Sequence, residues 1–137
     1  MSATESEIVV DSFRRILSQR SVTVCCNVPL MGRCVDMAYI AGRSLITVEF
    51  KLRDWRRAIL QARDHKLAAD FAYICMPRRT VSETMLGELT HSGVGLIFYR
   101  ESGSWPFETI VSAKRSTEKW PTARSNVQRY ILANRMS

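Results

Sequence analysis

"LITVEFKL", residues 45–52, decides how this chain is read. Leu, Ile, Thr, Val and Phe make it a strand, because β-branched and aromatic side chains suit a pleated, half-buried surface. Glu49 and Lys51 interrupt that composition two residues apart, and side chains two apart on a strand point to one face. Leu45, Thr47, Glu49 and Lys51 therefore share one face, while Ile46, Val48, Phe50 and Leu52 share the other. Two readings fit this pattern. One is an amphipathic strand with a solvated polar face; the other is a rigid support that aims a carboxylate and an ammonium at a reaction.

The neighbouring segments supply a fold for that strand. Residues 4–19 have helical spacing, with Val9, Phe13, Ile16 and Leu17 on one stripe, and Thr4 and Glu7 fit a capping box. The β-branched run 21–30 predicts a strand ending near Pro29, Gly32 a turn, and "RCVDMAYIA" a second strand carrying Asp36. Gly42 closes a hairpin around Ala41-Gly42-Arg43 onto the opening stretch. Asp54 predicts the N-cap of a helix over 55–69, with Trp55, Ala58, Ile59 and Ala62 on its apolar side. "FAYICMP", 71–77, is apolar without alternation, as a strand buried on both faces should be. A helix over 82–91 ends at Gly93, a left-handed cap.

"GVGLIFYR" and "PFETIVSAK" predict two strands joined by a turn at Ser102-Gly103. Ser125 and Gln128 then predict a capping box for a last helix over 125–135. The order α-β-β-β-α-β, then α-β-β-α, implies an α/β fold: a mixed sheet flanked by helices, with extra C-terminal strands and a terminal helix. At 137 residues the simplest organisation is one domain over 1–137, with its core at about 4–112 and a basic extension at about 113–137.

Twenty Lys and Arg against thirteen Asp and Glu give a net charge of +7. That balance suits a polyanionic partner, nucleic acid before an anionic membrane, or a basic protein with neither. No segment approaches the ~20 apolar residues that span a bilayer, and "MSATESEIVVD" is too acidic and polar for a secretory signal. A cytoplasmic location is the expectation. Cys25, Cys26, Cys34 and Cys75 fall in apolar runs without C-x-x-C spacing, so buried free thiols are expected rather than zinc or disulfides. Cys25 and Cys26 should face opposite sides of their strand.

Asp36 lies on the strand before the hairpin, Glu49 and Lys51 on the strand after it. A twist or bulge could bring the two carboxylates together at the end of the sheet. Such a pair suits Mg²⁺, which prefers oxygen ligands and keeps several waters. A lysine beside them could lower the pKa of a bound water or hold a phosphate oxygen as charge develops.

D-(x12)-E-x-K across two strands, followed by a Trp-bearing helix and a buried strand, resembles the PD-(D/E)XK nuclease superfamily. Its restriction endonuclease-like core has the order of elements derived above, and the resemblance runs from residue 4 to about 77, more loosely to 112. It implies a Mg²⁺-dependent DNA nuclease, with Mn²⁺ expected to substitute, in which water is the nucleophile and cleavage leaves a 5′-phosphate. By position, Asp36 and Glu49 are the metal carboxylates, the Phe50 carbonyl a further ligand, and Lys51 the residue that orients or activates water. Val35 stands where the motif's name has proline.

Many members also carry a glutamate on the first helix. Glu5 is in register with Ile8 and Val9 and would fill that role, whereas Glu7 should point elsewhere; alternatively both complement the helix N-terminus. RecB-like relatives have a glutamine followed four residues later by tyrosine; here Gln61 is followed by His65. Gln61 could overlook the site or lie on the surface. His65 and His91 read as solvated or capping residues.

Arg53, Arg56 and Arg57 near the second helix, and Arg78 and Arg79 after the buried strand, are where a phosphate backbone would lie. The tail adds Lys114, Arg115, Lys119, Arg124, Arg129 and Arg135. Trp105 and Trp120 could stack on bases or pack the tail down. A chain this short offers little surface to a duplex, so a homodimer or larger nuclease complex is an expectation too. A catalytically idle nucleic-acid-binding or assembly module of the same fold is the rival reading.

Overall fold

A computed structural model describes residues 5–100 and 106–135, with side chains from Glu7 onward. The elements are α1 (Glu5–Ser18), β1 (Thr23–Leu30), β2 (Arg33–Ala41), β3 (Ser44–Phe50), α2 (Trp55–His65), β4 (Phe71–Pro77), α3 (Glu83–Ser92), β5 (Gly95–Tyr99), β6 (Phe107–Val111) and α4 (Pro121–Asn134). This is the expected order. The strands form one six-stranded mixed sheet in chain order. β1, β2 and β3 meander antiparallel, β3, β4 and β5 run parallel through the α2 and α3 crossovers, and β6 returns antiparallel.

The two hairpins are tight because their turn residues adopt left-handed backbone. Met31 and Gly32 both have positive φ, 52° and 78°, as a two-residue type I′ loop demands. Gly42, at φ 60°, opens the second turn, which joins Ala41 to its partner Ser44.

One helix covers one face of the sheet and three cover the other. Val9, Phe13 and Leu17 of α1 pack on Val24, Met37, Val48, Phe50 and Cys75. The Phe13 ring meets Phe50 edge-on at 5.7 Å, so α1 is seated beside the end of β3. On the opposite face α2 and α3 cover Ala72, Ile74, Met76 and Leu96, and α4 covers Cys25, Val35, Ala38 and Leu45. β4 is buried on both faces, as its unalternating composition predicts. β3 is too, and this overturns the reading of a solvated polar face: Thr47 is fully buried and Glu49 only 6% exposed.

Some boundaries differ from expectation. α2 stops at His65 rather than near 69, because Lys66, Leu67 and Ala68 donate to the carbonyls of Arg63, Asp64 and His65, a tight turn that drops the chain to Asp70. α4 starts at Pro121, after Trp120, so Ser125 and Gln128 lie inside the helix and form no capping box. Proline is well placed there, since the first turn leaves its N–H groups unpaired anyway. The Thr4–Glu7 box and the Ser102-Gly103 turn lie outside the described residues. All four cysteines are free, but only Cys25 and Cys75 are buried: Cys26 is half-buried, and Cys34 is exposed because it sits beside the hairpin tip.

Asp70 fastens the C-terminal segment. Its carboxylate, 2% exposed, accepts from the Leu45 N–H at 2.7 Å and pairs with Arg124 at 2.8 Å, Arg115 at 3.4 Å and Lys119. Burial pushes this acid up, but the Lys119 hydrogen bond, the Leu45 N–H and Arg124 outweigh it and hold the group down at about 2. Three cations of the tail are therefore engaged by Asp70, a correction to the reading that offered them to nucleic acid. Among the described residues, no helix is long and apolar enough to cross a membrane.

Candidate active site

The site begins with an irregularity in two strands. A strictly alternating β2 would put Val35 and Met37 on one face. Instead Met37 packs on the α1 side, and Val35 joins Ala38 on the α4 side. β1 breaks in the same place: Val24 faces α1, while Cys25 and Val28 both face α4. Asn27 and Asp36 are the opposed residues missing from the ladder between Cys26↔Met37 and Val28↔Val35. Asn27 has φ 53°, a conformation that asparagine tolerates better than most residues.

The same break frees Asp36 to bridge strands with its side chain. The β2–β3 ladder ends at Met37↔Val48, so Asp36 would next oppose Glu49. There the Asp36 Oδ2 accepts the Phe50 N–H at 2.8 Å. Beyond it the Lys51 N–H donates to the Cys75 carbonyl at 3.0 Å, which steadies the end of β3 on β4.

Glu49 is the centre of the arrangement. Its carboxyl is raised to about 9, first by burial, then by hydrogen bonding to the Asp36 carboxyl and by that group's charge, with Lys51 pulling the other way. His65 Nε2 lies 3.5 Å from Glu49 Oε2. Burial lowers the imidazole to about 4 against the opposing charges of Asp36 and Asp64, so it is neutral at pH 7. His65 Nδ1 and Gln61 Oε1 are both buried without a hydrogen-bond partner.

Two openings share Glu49 as a wall. A groove of about 470 Å³ runs beside α1, with Glu7, Arg14, Asp36, Phe50 and Lys51 on it. A cavity of about 250 Å³ lies between the β1–β2 tip and α2, lined by Arg33, Gln61, Asp64 and His65 among others.

Asp36, Glu49 and Lys51, predicted to converge, do converge on the groove. Gln61 overlooks Glu49 from the cavity side. The side chain of Glu5 lies outside the described residues. Glu7, expected to point elsewhere, borders the groove instead, because Glu7, Val10, Asp11 and Arg14 form the helical row flanking the groove while Ile8 faces outward. His65 is not solvated but buried against Glu49, a position its spacing from Ala58 and Ala62 (i, i+4, i+7) would have indicated.

Arg53, Arg56, Arg57, Arg78 and Arg79 are all exposed. Because β3 and β4 are parallel, the segments after them leave from the same edge of the sheet as Lys51. The Arg56 guanidinium lies over Trp55, 4.4 Å from its ring centre. Trp120 is 53% exposed, and Trp105 lies outside the described residues.

Among the described residues no group of three or more His, Cys, Asp or Glu side chains could hold a metal ion. The groove carries the carboxyls of Glu7, Asp11, Asp36 and Glu49, of which Asp11 is paired with Arg14 and Arg15. Beside Asp36 and Glu49 at the end of β3, further ligands would be a backbone carbonyl and water, which a Mg²⁺ site accepts.

No protein-family model matches the chain, and no curated protein matches it. Among solved structures it is similar to the SPO1766 protein of unknown function from Silicibacter pomeroyi, with TM-score 0.68 and 15% identity over 97% of this chain and 87% of that one. It is also similar to Pyrococcus furiosus SfsA, solved in complex with Ca²⁺, with TM-score 0.49 and 12% identity over 79% of this chain and 64% of that one. What the chain shares with the SPO1766 protein is a fold.

Proposed function

We propose that this chain is a metal-dependent deoxyribonuclease of the PD-(D/E)XK type, hydrolysing phosphodiester bonds at the groove beside α1. The observation that carries the reading is that Asp36, Glu49 and Lys51 line one groove at the end of β3, where Asp36 would oppose Glu49 and accepts the Phe50 N–H. A buried carboxyl pressed against a second one is a site short of positive charge, which is the environment a hard dication fits. Asp36, Glu49 and the Phe50 carbonyl would hold Mg²⁺ or Mn²⁺, which would supply charge for the phosphate and acidify a bound water.

The chain's own residues have separable tasks. Asp36, fixed through the Phe50 N–H, sets the position of the carboxylate pair. Lys51 carries the ammonium that orients water or holds a phosphate oxygen. His65 backs Glu49 from behind at 3.5 Å, with Gln61 beside it on the cavity wall. Arg53, Arg56, Arg57, Arg78 and Arg79 would hold the DNA backbone along the adjoining edge.

The test is cleavage of plasmid and labelled oligonucleotides with Mg²⁺ or Mn²⁺. Glu49→Gln and Lys51→Ala should each lower the rate by roughly 10²-fold or more. Wild-type rates in either variant would remove the assignment. Among the described residues no group of three His, Cys, Asp or Glu side chains could hold a metal, which leaves a second reading, an idle nucleic-acid-binding module; DNA binding with no metal-dependent cleavage in the wild type would select it.

A further inference from the structure

The cavity behind Glu49 has a chemistry unlike the groove. Leu30, Met31 and Leu67 give it apolar walls, while Gln61, Asp64 and His65 give it a polar side. Gln61 Oε1 and His65 Nδ1 are buried without partners, and His65 is only 6% exposed. Buried polar atoms left unpaired are rare in folded proteins, and both belong to side chains on the cavity wall, where a turn of the amide or the ring would bring them to an occupant. Among the described residues Arg33 is the one Lys or Arg on its lining, against the carboxyls of Glu49 and Asp64. A phosphate is therefore a poor occupant, and a neutral planar group with donors and acceptors on its edge is a good one. At about 250 Å³ the cavity is smaller than the ~300–1,000 Å³ of drug-sized pockets and of a size for a single base.

The rim adds an independent sign. Met31 holds a left-handed backbone, φ 52°, that an unbranched apolar side chain adopts only under strain, and it is 55% exposed. Asparagine would suit this turn position better. Beyond what the hairpin turn demands of position 31, backbone strain of this kind clusters at active sites and ligand clamps.

Glu49 is the shared wall of groove and cavity. We propose that a DNA strand whose phosphate lies in the groove sends a neighbouring base, unstacked, into this cavity between Met31 and the Gln61–His65 edge. The substrate is then single-stranded or locally opened DNA, since a stacked and paired base cannot enter. The proposal takes its strand and its phosphate position from the nuclease reading.

Binding measured without turnover tests it. The full chain, with EDTA present, is titrated by fluorescence anisotropy into a labelled single strand, the matching duplex and an abasic strand of equal length. The single strand should bind about tenfold tighter than either of the others, the scale of one base contact. Met31→Asn should raise the melting temperature yet reduce that preference several-fold, and Gln61→Leu should reduce it with the fold intact. Equal affinity for all three probes would overturn the proposal. So would a preference untouched by both substitutions, or competition by free thymidine monophosphate as strong as by the strand. Base preference without any metal-dependent cleavage would remove the nuclease reading and leave the base site standing. Cleavage without base preference would remove the base site alone.

Discussion

Glu49 shows at the scale of one residue how a buried acid works against stability. Its acid is raised from 4.5 to about 9, so across that window the folded chain binds more protons than the unfolded one, and stability falls as pH rises. His65 acts oppositely: lowered from 6.5 to about 4, it makes stability rise with pH between those values. The two offset one another between 4.5 and 6.5, which leaves a net decline from 6.5 to 9. Glu49→Gln keeps the shape and hydrogen bonding but cannot ionise. Urea unfolding at pH 6.5 and 8.5 should therefore show wild type losing roughly 1–3 kcal/mol, and the variant losing little of it. Equal losses would mean that Glu49 ionises without penalty in the fold. Of this site, the sequence made legible the residues whose types announce chemistry, Asp36, Glu49 and Lys51. It hid His65 and Glu7, because burial against Glu49 depends on where α2 lies over β3, and the groove row on how α1 is rotated about its axis.

At the scale of elements, the β1-β2-β3 meander and the β3–α2–β4 crossover were legible because period-2 runs, turn glycines and the Asp54 cap agree locally. Asp54 does cap α2, its side chain accepting from the Arg57 N–H. What stayed hidden was how the last segment is held. Nothing local marks Asp70 as the partner of residues 45 to 54 positions away along the chain, yet it receives Arg115, Lys119 and Arg124 at once. Removing one partner of such a cluster leaves buried charge uncompensated. Asp70→Asn should cost about 3–5 kcal/mol, seen as a lowered unfolding midpoint, with faster tryptic cleavage at Arg115, Lys119 and Arg124. The group's low native value sets the pH dependence. Its contribution is present above about 3.8 and is lost as pH falls toward 2, so the difference between wild type and variant should shrink on acidification. An unchanged midpoint at neutral pH would show that the tail is held by Val127 and Ile131 alone.

For the whole molecule, a net charge of +7 says less than where the charges are committed. Arg115, Lys119 and Arg124 serve Asp70, Arg14 and Arg15 pair with Asp11, and Arg100 pairs with Glu108. Arg53, Arg57, Arg78 and Arg79 are exposed around the edge from which β3 and β4 exit, next to Lys51. On the proposed nuclease reading a polyanion would be gripped at that edge, over the Asp36–Glu49 pair, rather than by Arg115, Lys119 and Arg124, while Lys114, Arg129 and Arg135 stay exposed on the tail. Counterion release makes this measurable, since each phosphate contact contributes about −0.9 to the slope of log K against log salt on duplex DNA. Arg78→Ala combined with Arg79→Ala should make that slope shallower by roughly 1 to 2 and weaken binding evenly across sequences. Arg124→Ala removes the same charge per residue but from the Asp70 cluster. It should lower the melting temperature and leave the slope within about 0.5 of wild type. A slope that responds to Arg124 as strongly as to the Arg78 and Arg79 pair would move the DNA to the other end of the sheet, away from Glu49.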